Sequence, residues 1–280
     1  MQAADLAHAE HYAAASDAIL DRCNLTPLRW SVMNRRVWRA GLLGRLDEAE
    51  QLLFDTREFG CTHGVTQAEH AADIQLAMVR WQQGRVLTST PSELDAPQLG
   101  PPPGFSFLHA RFLAGDTATH AAARTVVEDL AQHEFEDLSV GPFWSSLLIV
   151  TAESAFLLGL PAVGRAIRRL LEPYIDQVAF SGLWVAAPIA HGAAVAAAAA
   201  HDPDASSLFE HAIMIAERVN APLLRARAQL AWVAATCLPS TPRSRPYTLT
   251  LCEEARATAR TLELPELARH AEDLRSALLR

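Results

Sequence analysis

Arginine is the residue type with the most potential for chemistry in this sequence. The 280-residue chain has 24 lysines and arginines together, and none of them is lysine. A guanidinium group holds several N–H donors in a planar fork, which suits carboxylate and phosphate groups. Several arginines cluster within one helical turn or begin a predicted helix, and we predict that they contact a partner or a ligand. They are Arg35, Arg36, Arg39, Arg165, Arg168, Arg169 and Arg225. The alternative is a solvated face on which neighbouring acids pair with them.

One tryptophan joins this predicted binding set. Trp184 follows the pair Ser181-Gly182, which is typical of a loop, and we expect its indole to be more exposed than the others. The other five tryptophans fall in predicted helices and are interpreted as core residues. They are Trp30, Trp38, Trp81, Trp144 and Trp232.

Histidine is common enough to test for a metal site, since the chain has 11 of them. His8 and His11 lie on one face of the first predicted helix, with Glu10 beside them. Farther along, Cys61 and His63 form a C-x-H pair that precedes another histidine. Neither spacing matches a known zinc pattern, so we predict no metal and no cofactor.

Catalytic chemistry has little support in the sequence. Without lysine there is no P-loop lysine, no Schiff-base lysine and no Ser-Lys dyad. No G-x-S-x-G elbow is present, and the paired acids, such as Asp47-Glu48, fall on predicted surface helices. We therefore predict no catalytic residues and a protein that is not an enzyme.

Charge and cysteine usage constrain the compartment and the partners. The formal net charge is −8, which opposes nucleic-acid phosphates and anionic lipid surfaces. Cys23, Cys61, Cys237 and Cys252 are scattered, as is usual for buried thiols in a reducing compartment. The N-terminal residues lack the pattern of a signal peptide. We predict a cytoplasmic protein with no direct nucleic-acid partner.

One uncharged stretch has the length of a membrane span. Residues 183–200 read LWVAAPIAHGAAVAAAAA, but alanine is only weakly apolar, and Pro188, His191 and Gly192 interrupt the run. No basic residue anchors either side. We interpret the stretch as a helix buried between other helices, and we predict no contact with a membrane.

Helix signals recur along the whole chain. Alanine and leucine dominate the apolar half of the composition, and glycines such as Gly44, Gly60 and Gly84 end predicted helices. The pattern breaks at residues 87–104, which are rich in proline, serine and threonine. We predict one all-α helical-repeat domain over residues 1–280, with two sub-arrays, 1–86 and 105–280, as one possible division of it.

A five-residue step between small residues repeats three times. It separates Gly44 from Ala49, Gly159 from Gly164, and Ala200 from Ala205. This offset matches the second helix of a tetratricopeptide-type hairpin, with one small residue at the turn and another where the helices touch. We predict a right-handed α-solenoid of such hairpins; a non-repetitive α-helical bundle is the alternative.

Three segments contain sequence motifs that resemble those of one protein family. Residues 27–53 contain the Arg29-Trp30 pair and a GR-x-x-EA turn that begins at Gly44, while 143–179 and 209–235 look like later parts of the same region. They resemble the tetratricopeptide-like C-terminal repeat region of large ATPase-containing bacterial transcriptional regulators, either LuxR-type or cyclase-linked. The chain has no P-loop, cyclase motif or LuxR-type helix-turn-helix, so the resemblance implies the receiving part alone.

These observations favour a non-catalytic regulatory module that binds a protein or senses a ligand in a concave groove. The family resemblance implies that a protein partner is an ATPase or a DNA-binding regulator. Two alternatives remain: a structural scaffold that forms homo-oligomers, and a small-molecule enzyme on an α-helical framework. A fold by itself does not distinguish them.

Overall fold

A computed structural model describes most of the chain. The described residues are 3–20, 22–23, 25–84, 120–132, 135, 141, 143–237 and 245–280. They are mostly helical, in agreement with the predicted all-α class. The predicted connection at 87–104 lies outside the described residues, so the division into two sub-arrays stays a prediction.

Four helices precede the gap in the description at residues 85–119. They are α1 (Leu6–Leu20), α2 (Thr26–Leu42), α3 (Leu46–Thr62) and α4 (Ala68–Gln83). Each of α2, α3 and α4 packs against the helix that follows or precedes it. By contrast, α1 has no buried residue, so it contributes little apolar burial to the core.

Eight more helices and a small β-hairpin follow. The helices before the hairpin are α5 (His120–Gln132), α6 (Trp144–Leu158) and α7 (Pro161–Leu171), which continues into a 3₁₀ turn (Glu172–Tyr174). The strands are β1 (Val178–Phe180) and β2 (Val185–Pro188). The helices after the hairpin are α8 (Ile189–Ala199), α9 (Ala205–Arg218), α10 (Pro222–Thr236), α11 (Arg245–Thr261) and α12 (Pro265–Leu279).

The helices from α6 to α12 pack in a regular order. Each contacts the next one along the chain, and α6, α8, α10 and α12 also contact one another in sequence. This arrangement places every second helix on a shared side and is typical of stacked helical hairpins.

The five-residue step from Gly159 to Gly164 joins a helix end to a close contact between helices. Gly159 ends α6 with a positive φ of 62°, a conformation that glycine adopts without strain. Gly164, five residues later, faces α8 so closely that an added Cβ would lie 2.6 Å from the carbonyl oxygen of Ala196. The predicted turn at Gly159 is confirmed, whereas the close contact at Gly164 is with α8, the next helix, and not with α6 across the turn.

The β-hairpin corrects the expectation of a purely helical chain. β1 and β2 are antiparallel, with Val178 opposite Pro188 and Phe180 opposite Val185. The Ser181 hydroxyl accepts hydrogen bonds from the backbone N–H groups of Leu183 and Trp184, which closes the turn. Residues 183–188 therefore belong to the hairpin, and the helix predicted over 183–200 begins only at Ile189.

The alanine-rich helix α8 is entirely buried, as its composition predicts. Every residue from Ile189 to Ala199 is buried, and α6, α7 and α9 pack around the helix. Small side chains let these neighbours approach closely on all sides. Among the described helices, not one combines the length and the hydropathy that crossing a bilayer requires.

The hairpin joins α2 and α4 to the later helices. An added Cβ on Gly41 of α2 would lie 2.2 Å from the Trp184 ring, so the indole occupies the space that glycine leaves. Trp38 meets Phe180 edge to face, with ring centroids 5.2 Å apart. From α4, the side-chain amide of Gln75 donates to the carbonyl oxygen of Leu183 at 2.9 Å. We call this set of contacts the hairpin joint.

A substitution at Gly41 tests the hairpin joint. Alanine is the better helix former by about 1 kcal/mol, but its Cβ would collide with the Trp184 ring. Overpacking of this kind costs about 1–3 kcal/mol. We expect Gly41→Ala to lower the free energy of unfolding in urea. In a Trp184→Leu background, which lacks the colliding ring atoms, the same change should be neutral or stabilising. Equal losses in both backgrounds would contradict this packing.

The cysteines give a second test of the fold. Cys23 and Cys61 are exposed, whereas Cys252 is fully buried and its Sγ donates to the carbonyl oxygen of Ala271. Burial raises the pKa of the Cys252 thiol, and the nearby Glu253 charge adds to the effect. A raised pKa leaves less of the reactive thiolate at a given pH.

We expect Cys252 to react with a disulfide reagent at pH 8 at least about 10-fold more slowly than Cys23 or Cys61. Mass spectrometry of the labelled peptides measures each rate. In denaturing urea the rates should converge. Fast native labelling of Cys252 would contradict its burial.

Candidate functional site

A groove between the first three helices holds a group of arginines. A cavity of about 700 Å³ lies there, and we call it the arginine groove. Its lining residues come from the end of α1 and the turn after it, from one face of α2, and from α3. They are Leu20, Arg22, Arg29, Val32, Met33, Arg36 and Phe59.

The helical spacing of α2 explains how one helix supplies most of this lining. Arg29, Val32, Met33 and Arg36 follow one another at steps of three, one and three residues, which places them on one face. Phe59 from α3 stacks on His63 with ring centroids 4.1 Å apart, which holds its ring in place. The groove thus has cationic groups at both ends of an apolar stretch.

The arginines of α2 divide into two groups. Arg35 pairs with Asp17 of α1 at 2.5 Å, and Arg39 pairs with Glu10 of α1 at 2.5 Å. Arg36 and Arg29 form neither an ion pair nor a hydrogen bond with any residue that the structure describes. Of the predicted cluster, two members therefore attach α1 to α2, and Arg36 lines the groove.

The second predicted cluster also divides. Arg168 is largely buried and lies within 4 Å of three carboxylates, those of Glu172, Asp202 and Asp204. It ties α7 to the turn between α8 and α9. Arg165 and Arg169 are exposed on α7 and have no ion pair with the residues described. The structure does not bring this cluster to the arginine groove.

The two remaining predicted residues, Arg225 and Trp184, also lie outside the lining of the arginine groove. Arg225 of α10 reaches Glu217 at 3.5 Å and the Thr258 hydroxyl at 3.5 Å, so it links three successive helices. The expectation that Trp184 is exposed is wrong, because only 2% of its surface is accessible. Its loop is a tight hairpin turn that directs the indole onto Gly41.

A buried ionic network was missed by the sequence argument. Glu153 on α6 accepts a hydrogen bond from Arg227 on α10 at 3.0 Å, and the Nε2 atom of His191 on α8 lies 3.3 Å from the same oxygen. The Arg227 guanidinium lies over the Trp81 ring of α4, 3.8 Å from its centroid. One contact chain thus crosses α6, α8, α10 and α4, and we call it the Glu153 network.

The sequence holds only weak signals for these sites. Arg29 and Arg36 are seven residues apart, which does predict a shared helix face. Arg22 joins them only because the turn after α1 folds back on α2. Glu153 and Arg227 are 74 residues apart, and no local pattern connects them. Their contact depends on the order in which the helices stack.

The histidines do not gather into a metal site in the part of the chain that the structure describes. Within those residues no group of three or more histidines, cysteines or acids could hold a metal ion. His8 bonds to Asp5, and His63 stacks on Phe59. Both side chains are exposed, in agreement with solvated histidines.

Comparison of the chain with models of protein families, with curated proteins and with solved structures found no match. The candidate site therefore stands on its geometry alone.

Removing the Glu153 carboxylate tests the ionic network. Glu153→Leu removes a carboxylate that pairs with the largely buried guanidinium of Arg227 at 3.0 Å. Loss of one partner of a buried ion pair costs about 3 kcal/mol or more. We expect a loss of that order in the free energy of unfolding, measured with urea.

A matched control is Glu172→Leu. Glu172 also pairs with an arginine, at 3.5 Å, but its side chain is 63% exposed. Exposed pairs contribute less than about 1 kcal/mol. A loss for Glu153→Leu as small as that of the control would show that the network adds nothing to stability.

Proposed function

We propose that the protein is a non-catalytic regulatory module that receives a ligand or a protein partner in the arginine groove. The observation that supports this most directly is the state of Arg29 and Arg36. Both line a concave site, and neither is paired with an acid among the residues described. Unpaired arginines in a cavity favour the binding of an anionic group.

The acids near the groove strengthen this proposal by where they lie. Asp17 and Glu10 of α1 are close enough to α2 to pair with Arg35 and Arg39. They do not reach the arginines of the groove. With respect to the acids that the structure describes, the groove keeps its positive charge in a protein whose net charge is −8.

We further propose that the helices form a right-handed solenoid of tetratricopeptide-like hairpins. The contacts among α6, α8, α10 and α12 support this, since alternate helices of such hairpins stack along one side. The likeness of segment 27–53 to ATPase-containing regulators supports a cytoplasmic regulatory role. The partner in that case is an ATPase or a DNA-binding regulator.

Helix α2 offers a route by which binding reaches the later helices. Arg29 and Arg36 line the groove, and Trp38 and Gly41 of the same helix form part of the hairpin joint. A rigid helix that shifts at one end displaces its contacts at the other. We propose that occupation of the groove is transmitted through α2 to the hairpin joint.

The proposal is tested by capture with the full chain and two double variants. Arg29→Glu/Arg36→Glu reverses the charge of the groove. Arg165→Glu/Arg169→Glu makes the same charge change on exposed arginines of α7. Wild type and both variants are immobilised at equal density and exposed to cytosol of the native cell. Retained proteins and small molecules are then measured by mass spectrometry.

We expect at least one retained species to fall about 10-fold or more with the groove variant, since reversing the charge of a cation that contacts an anion is strongly unfavourable. The α7 variant should retain it like the wild type. Equal retention by all three proteins would reject the groove as the receiving site. Circular dichroism confirms that each variant is folded.

A further inference from the structure

The arginine groove has a composition that selects one class of ligand. Among the residues that the structure describes, its lining comprises three arginines and four apolar side chains, and none of these seven is acidic. Arg29 and Arg36 stand seven residues apart on α2, about two helical turns. Met33 and Val32 lie between them, and Phe59 of α3 adds an aromatic ring.

We propose that the groove binds a small amphipathic anion, a carboxylate or phosphate group joined to an apolar body. This rests on the proposed function, because it names the ligand of the same receiving site. The guanidinium groups of Arg29 and Arg36, with Arg22, bind the anionic group. The side chains of Met33 and Phe59 cover the apolar body.

The positive charge of the groove favours an anionic ligand. Three cations in one cavity repel one another, and no carboxylate among the described lining residues offsets them. A carboxylate or phosphate accepts two parallel N–H bonds from a guanidinium, and a second arginine strengthens the site. Arg22 already directs its Nε donor to the carbonyl oxygen of Ala18, which orients it at the edge of the groove.

Shape favours a small molecule over a peptide or a folded partner. The cavity of about 700 Å³ falls within the range of small-molecule sites, roughly 300–1,000 Å³. One of its walls is the end of α1, which has no buried residue. Because α1 is held to α2 by ion pairs at Arg35 and Arg39, it can adjust around a ligand without exposing core.

The experiment uses the full chain and octyl phosphate as the probe, below its critical micelle concentration. Isothermal titration calorimetry compares it with octanoate, inorganic phosphate and octanol. We expect octyl phosphate and octanoate to bind one molecule per chain. Inorganic phosphate lacks the apolar body and octanol lacks the charge, so each should bind at least about 10-fold more weakly.

Variants test which groove residues bind the anionic group of the ligand and which contact its apolar body. Arg29→Glu/Arg36→Glu should weaken octyl phosphate at least about 10-fold, while Arg165→Glu/Arg169→Glu leaves it unchanged. Phe59→Ala should weaken octyl phosphate several-fold without changing the binding of inorganic phosphate. Thermal melts without ligand verify that each variant is folded.

Four outcomes would overturn the proposal. Two of them are octanol or inorganic phosphate binding as tightly as octyl phosphate. The third is no binding of octyl phosphate or octanoate. The fourth, from a parallel titration with anionic phospholipid vesicles, is binding to the vesicles only. The last outcome would assign the charge to a lipid surface. If none of the probes binds but the groove variant still loses a captured species, the ligand class is wrong and the receiving module stands.

Discussion

The steric fit between Trp184 and Gly41 determines how the β-hairpin packs against the N-terminal helices. The indole is almost fully buried, and its ring atoms lie where a larger residue on α2 would place its side chain. A fit this close leaves one position for the hairpin relative to α2. Because Phe180 contacts Trp38 and Leu183 accepts from Gln75, the same fit fixes the positions of α2 and α4.

The Glu153 network depends on that placement. Trp81 of α4 covers the Arg227 guanidinium only when α4 lies against α10. The carboxylate of Glu153 in turn holds Arg227 and contacts His191, so three alternate helices share one buried charge. A buried ion pair tolerates little rearrangement, because separating its members leaves a charge in the packed interior.

The arginine groove stands apart from this packing, although α2 belongs to both. Arg29 and Arg36 project from α2 on a face that α1 and α3 border, while Trp38 and Gly41 project towards the hairpin. The helix thus packs against the hairpin near its C-terminal end and lines the groove with its earlier turns.

The sequence by itself determined the helical class, the turn at Gly159 and the burial of the alanine run, because each follows from local propensity and side-chain size. It grouped Arg36 with Arg35 and Arg39, whereas the structure pairs those two with α1 and leaves Arg36 lining the groove. Tertiary structure decided that Arg35 and Arg39 are neutralised, since Asp17 and Glu10 come from another helix. It also decided that Trp184 is buried and that Glu153 meets Arg227, because side chains from distant segments meet only once the helices have stacked.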